Sequence, residues 1–129
     1  FFEDLDHRVG KGTISAIEFG DHGPVGEVVP ALEEPWHLSY PFLIVQGDEL
    51  WMIPESSAQG EVNIYRCVAF PHRWERHATL LDGVELADAT IVRHDGLTYM
   101  FGASRDGDLT RPASSAASAT VICFADLPK

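Results

Sequence analysis

The sequence predicts an all-β fold, read within that class as a partial β-propeller of about two and a half blades of four-stranded antiparallel sheet. Three observations carry the prediction. An internal repeat recurs at a spacing of 48 residues, tight-turn chemistry falls at matched places within it, and no stretch reads as a convincing helix.

The repeat sets residues 39–56, SYPFLIVQGDELWMIPES, against residues 87–104, ADATIVRHDGLTYMFGAS. Tyr40 then matches Asp88, Trp51 matches Tyr99 and Met52 matches Met100. In each copy an apolar run leads into a Gly-Asp or Asp-Gly pair, Gly47-Asp48 or Asp95-Gly96, and a second apolar run comes after it. Gly and Asp tolerate the positive backbone angles of short hairpin turns, so each copy opens with a hairpin. The leading runs, 39–45 and 87–92, are apolar on both faces, as expected of inner strands packed between neighbouring sheets.

The segment after each hairpin also recurs. Residues 61–70 (EVNIYRCVAF) resemble 13–19 (TISAIEF) and 119–124 (ATVICF), giving third strands. Residues 25–34 and 74–83 supply fourth strands in two copies. Glu3, Glu55 and Ala103 fall at corresponding places near the end of the second strand. The chain thus divides into the end of one blade (1–35), one full blade (36–84) and most of a third (85–129), all parts of one domain. A propeller closes on itself with about four blades or more, so these edges call for further blades or a second copy of the chain. The Ser-, Ala- and Asp-rich stretch 105–118 reads as a surface loop, either a rim of a binding site or an ordinary variable connection.

Charge limits the partners. Nine Lys and Arg against 20 Asp and Glu give a formal charge of −11, which disfavours nucleic acid and anionic membrane surfaces. No apolar stretch approaches the roughly 20 residues of a membrane span. The two cysteines, Cys67 and Cys123, each sit in a strand-like apolar run and read as small packed side chains. They offer neither a disulfide framework nor metal-ligand spacing, and no cofactor or metal is expected.

The combination FFEDLD (1–6), HLSYPF (37–42), MIPES (52–56), FPHRW (70–74) and ADAT (87–90) resembles a bacterial propeller domain. That domain is related to the amino-terminal domain of plant glucosamine inositolphosphorylceramide transferases and, more distantly, to five-bladed glycoside-hydrolase-like propellers. The resemblance covers essentially the whole chain. It implies a five-bladed propeller with an axial pocket facing a carbohydrate or glycoconjugate, in some members fused to a transferase module.

In the distant glycosidase relatives, acidic residues from inner strands of different blades meet at the axis. Glycoside hydrolysis needs two carboxyl groups, one to protonate the leaving oxygen and one to activate the nucleophile. Asp88 is the positional match to an inner-strand acid, with Glu55 and Glu3 as the further candidates at equivalent strand ends. The alternative for Asp88 is a carboxylate satisfied by backbone amides or an arginine, and for the glutamates a repeated strand-end contact. His37 and Tyr40 open an inner strand and offer an imidazole and a phenol to a sugar. Trp36, Trp51 and Trp74 read as packing between blades, and His72 and His77 lie outside any metal-binding pattern. Two functions compete with simple recognition: an inverting hydrolase and a noncatalytic scaffold for a fused transferase.

Overall fold

A computed structural model of the chain describes residues 1–104, together with the backbone of a last strand at 118–124. The stretch expected to form a surface loop lies outside the described residues, apart from Ser118, which opens that strand. The chain is all-β. Its strands are β1 (Phe2–Asp6), β2 (Lys11–Gly20), β3 (Gly23–Leu32), β4 (Ser39–Gln46), β5 (Glu49–Glu55), β6 (Glu61–Ala69), β7 (Arg73–Asp82), β8 (Leu86–His94), β9 (Leu97–Ser104) and β10 (Ser118–Phe124). A 3-10 turn, Ser57–Gln59, links β5 to β6. Among the described residues no helix is long and apolar enough to cross a membrane.

The strands form three antiparallel meanders, β1-β2-β3, β4-β5-β6-β7 and β8-β9-β10, each with its strands in chain order. The boundaries obey the repeat. Gly47 (φ 59°) and Asp95 (φ 49°), matched positions of the two hairpin turns, both hold left-handed backbone, as does Gly96 (φ 74°). Glycine enters this region freely and Asp does so more readily than most residues.

The middle sheet packs on both of its neighbours. Alternation along β5 directs Met52 to one side and Trp51 and Ile53 to the other. Met52 joins Ile14, Ala16, Leu38, Tyr65 and Trp74 in the core between the first and middle sheets. Trp51 and Ile53 join Val62, Ile64, Leu86, Ala89 and Met100 in the core between the middle and last sheets. The matched residues Met52 and Met100 are both fully buried, and so, nearly, are the matched Leu38 and Leu86. The repeat is therefore a repeat of packing positions as well as of letters.

The tryptophans pack as their places in the repeat suggest. Trp74 meets Phe1 edge-on at 5.5 Å and Trp51 meets His77 at 4.9 Å, while Trp36 lies partly buried against the first core. Cys67 is only half-buried, less enclosed than its apolar neighbours imply, and desolvation raises its thiol pKa.

Candidate functional site

The first strands of the middle and last sheets, β4 and β8, touch one another, and β4 also touches β1. The sequence-predicted site residues gather along this line of contact. Near the start of both first strands the ladder is broken by a bulge, between Ser39 and Phe42 in β4 and between Ala87 and Thr90 in β8. Each bulge carries one residue in left-handed backbone: Tyr40 at φ 39° and Asp88 at φ 54°. These positions match each other in the 48-residue repeat. Both residues are exposed, so Asp88 carries no burial penalty although its strand is otherwise apolar. A bulge re-aims a side chain out of the regular alternation, which is how an otherwise apolar strand presents a phenol or a carboxylate to solvent.

Two contacts between sheets hold the ends of these strands. In the first, Glu3 on β1 places Oε1 3.4 Å from His37 Nε2. The opposite ring nitrogen, Nδ1, accepts the Gly12 N–H at 2.9 Å, and the Leu38 N–H donates to the Gly12 carbonyl at 3.0 Å. With Nδ1 acting as acceptor, the proton of a neutral His37 sits on Nε2 and faces Glu3. In the second, Glu55 at the end of β5 accepts the Ser57 hydroxyl on Oε1 at 2.8 Å and the Asp88 N–H on Oε2 at 3.2 Å. The expected equivalence of the two glutamates does not hold in the strands: Glu3 lies near the start of β1 and reaches His37 just before β4, whereas Glu55 ends β5 and reaches Asp88 in β8.

Tyr40 joins this arrangement through Thr90. The Thr90 hydroxyl donates to the Asp88 carbonyl at 3.2 Å and lies 2.9 Å from the Tyr40 hydroxyl. Asp88 is consequently held at its N–H by the middle sheet and at its C=O by its own strand. The structure brings Glu55, Asp88 and Tyr40 into one network and Glu3 and His37 into another, so the two glutamates engage different partners. Sequence reasoning missed Thr90, Ser57 and Gly12. The signal for Ser57 was its position two residues after Glu55; Thr90 was hidden in an apolar run.

Among the described residues no group of three or more His, Cys, Asp or Glu side chains gathers as a metal site. A cleft of about 560 Å³ lies elsewhere, lined by residues that include Phe1, Val25, Val29, Phe70 and His72, and none of the five candidate residues borders it.

Comparison with known proteins supplies the family. The profile described as "Glucosamine inositolphosphorylceramide transferase 1, N-terminal" matches residues 1–123. The chain belongs to this family. It is 38% identical over 108 residues to glucosamine inositolphosphorylceramide transferase 1 of Arabidopsis thaliana, covering 83% of this chain and 14% of that protein. It is 36% identical over 112 residues to the protein of the same name from Oryza sativa subsp. japonica, covering 86% of this chain and 14% of that protein. The chain therefore spans about 14% of the length of these relatives. No solved structure matches it. Family membership agrees with the motif set FFEDLD, HLSYPF, MIPES, FPHRW and ADAT, which contains all five candidate residues: Glu3, His37, Tyr40, Glu55 and Asp88.

Proposed function

We propose that this chain is part of a carbohydrate-recognising, glycosidase-like β-propeller module of a larger carbohydrate-modifying protein. On this reading the three meanders are successive blades of a five-bladed ring, and further blades or a second copy of the chain cover the outer sheet faces. The observation that carries the reading is the matched pair of bulges. Tyr40 and Asp88, one per sheet, stand exposed on adjacent inner strands in left-handed backbone, which is disfavoured for Tyr40 and better tolerated by Asp88. Left-handed non-glycine residues cost on the order of 1 kcal/mol or more, and such residues cluster at functional sites. Glu3, Glu55 and His37 flank them.

The family name of the relatives supports attachment to a transferase. A propeller that presents a glycan to a transferase active site needs recognition and no bond cleavage of its own. That distinguishes it from the hydrolase reading, in which Asp88 and a glutamate act as acid and base about 6.5 to 9.5 Å apart for an inverting mechanism.

Titration of the full-length protein with a panel of neutral and phosphorylated glycans tests the proposal. Binding of at least one glycan, weakened about tenfold or more by Asp88→Ala, is expected. Absence of binding across the panel, or binding indifferent to Asp88→Ala, would overturn it.

A further inference from the structure

The cleft of about 560 Å³ lies between the first sheet and the turn that joins β6 to β7. Phe1 forms part of its wall, packed edge-on against Phe70 at 5.9 Å and against Trp74 at 5.5 Å. Phe70 is nonetheless 69% exposed and Val25, across the cleft on β3, 51%. Exposed apolar groups rimmed by charge mark places where another molecule sits. Among the described residues β3 is the outermost strand of its sheet and pairs with β2 alone. Its ladder breaks where the register passes from Ala16↔Val29 to Glu18↔Val25, so that Gly26, Glu27 and Val28 stand against Ile17 alone, with Gly26 in left-handed backbone at φ 79°. Pro24 and Pro30 bracket this bulge and bring no N–H to an incoming strand, which confines pairing to the short stretch between them. Glu18 and Glu27 both line the cleft, and no Lys or Arg among the described residues does. Glu33 and Glu61 have Lys11 and Arg76 as partners, whereas among the described residues Glu18 and Glu27 have neither an ion pair nor a side-chain hydrogen bond.

We infer that this cleft docks a short extended segment of a partner protein that carries arginine and apolar side chains on one face. Two carboxylates without a cation, set beside an exposed aromatic ring, suit a guanidinium: it pairs with carboxylate oxygens through its planar fork and stacks on the ring. In an extended segment residues two apart share a face, so an arginine and an apolar residue at that spacing meet the acidic and the apolar parts of the cleft together. The bulged edge of β3 adds a short stretch of main-chain pairing, in the manner of strand addition. A lone small cation would satisfy the glutamates and leave Phe70 and Val25 uncovered. A second copy of the chain is disfavoured by charge, since each copy carries a formal −11. The cleft is separate from Tyr40 and Asp88, and the inference does not rest on the carbohydrate reading.

The test titrates the full-length protein against a fluorescent, acetylated and amidated octapeptide that repeats arginine, serine, leucine, serine, and follows anisotropy. This peptide should bind, about tenfold or more tightly than its counterpart with serine for leucine, and about threefold or more tightly than its counterpart with lysine for arginine. The counterpart with glutamate for arginine should not bind. Combining Glu18→Gln with Glu27→Gln should weaken the arginine peptide about tenfold or more. Combining Asp48→Asn with Glu85→Gln removes the same charge from exposed positions outside the cleft and should change binding less than about twofold. Phe70→Leu keeps an apolar wall without a ring, and should abolish the preference for arginine over lysine. The inference falls if no peptide binds, if the two double variants weaken binding equally, as a general acidic field would require, or if arginine amide alone binds as tightly as the peptide. Self-association of the full-length protein that Phe70→Leu disrupts would assign the cleft to a second copy and overturn it as well.

Discussion

At Gly12 the backbone of β2 runs so close to its neighbours that a methyl group has no room. An added Cβ would lie 2.5 Å from the Leu38 carbonyl oxygen, 2.8 Å from His37 Cε1 and 2.9 Å from Glu3 Oε1. The first of these is backbone and cannot swing away, so the sheet contact itself must open. Gly12→Ala is expected to cost about 2 kcal/mol, the range of an overpacked core site, seen as a lower urea midpoint at unchanged slope. A second residue-scale prediction concerns pH. Tyr65 is fully buried and donates to Glu34 Oε1 at 2.9 Å. Burial first, then the hydrogen bond and charge of Glu34, hold its phenol far above the ordinary tyrosine value. Below pH about 10 both folded and unfolded chains keep this proton and it exerts no pull on the equilibrium. Above that, the unfolded chain releases it while the folded chain retains it, so stability is lost as pH rises, by up to about 1.4 kcal/mol per pH unit. Urea unfolding at pH 8 and 11 should show this loss for the parent and not for Tyr65→Phe, which should itself cost about 1 kcal/mol at pH 8.

At the scale of the element, the hairpins were legible because their turns demand particular residues. Asp95-Gly96 both take positive φ, at 49° and 74°, and few other pairs would. Gly96→Val is expected to destabilise by about 1 to 2 kcal/mol, whereas Asp95→Gly should change stability by no more than about 0.5 kcal/mol. Thermal or urea unfolding of the two variants side by side would show the difference. The paired register of Met52 with Met100 was equally legible, since burial of one sheet face fixes the strand register to within a residue. The bulges were not. The repeat aligned Tyr40 with Asp88, but no local residue signals that both adopt left-handed backbone, because Tyr is a strand former and the distortion arises from pairing with β5 and β9. The network through Thr90 was illegible for a related reason: it depends on which sheet stands beside which. The sequence reading set Glu3 and Glu55 at equivalent strand ends, whereas the structure puts Glu3 near the start of β1 and Glu55 at the end of β5 and gives them separate partners, His37 for one and the Asp88 amide for the other.

At the scale of the whole molecule, the stacking of sheets makes a prediction about what lies beyond the last one. Ile53 on β5 is fully buried in the core facing the last sheet. Its counterpart 48 residues on is Phe101, on the face of β9 opposite Met100, and Phe101 is 42% exposed. Under the propeller proposal these two residues do the same work, and they differ only in whether the next sheet is in place. A substitution at Phe101 should then respond to the surroundings of the chain, while one at Ile53 should not. In the 129-residue chain, Ile53→Ser is expected to cost about 3 kcal/mol or more, because it places a hydroxyl in a closed apolar core and leaves a void. Phe101→Ser in the same chain should cost less than about 1 kcal/mol, since little enclosed area is lost. In the full-length protein a further blade would cover Phe101, and the same substitution should then cost about 3 kcal/mol, in the range of other buried aromatic truncations. Chemical unfolding of both variants in both lengths of chain provides the comparison. A Phe101→Ser cost that stays small in the full-length protein would mean that no sheet stacks on β9, and the ring would have to be abandoned in favour of an open three-sheet stack.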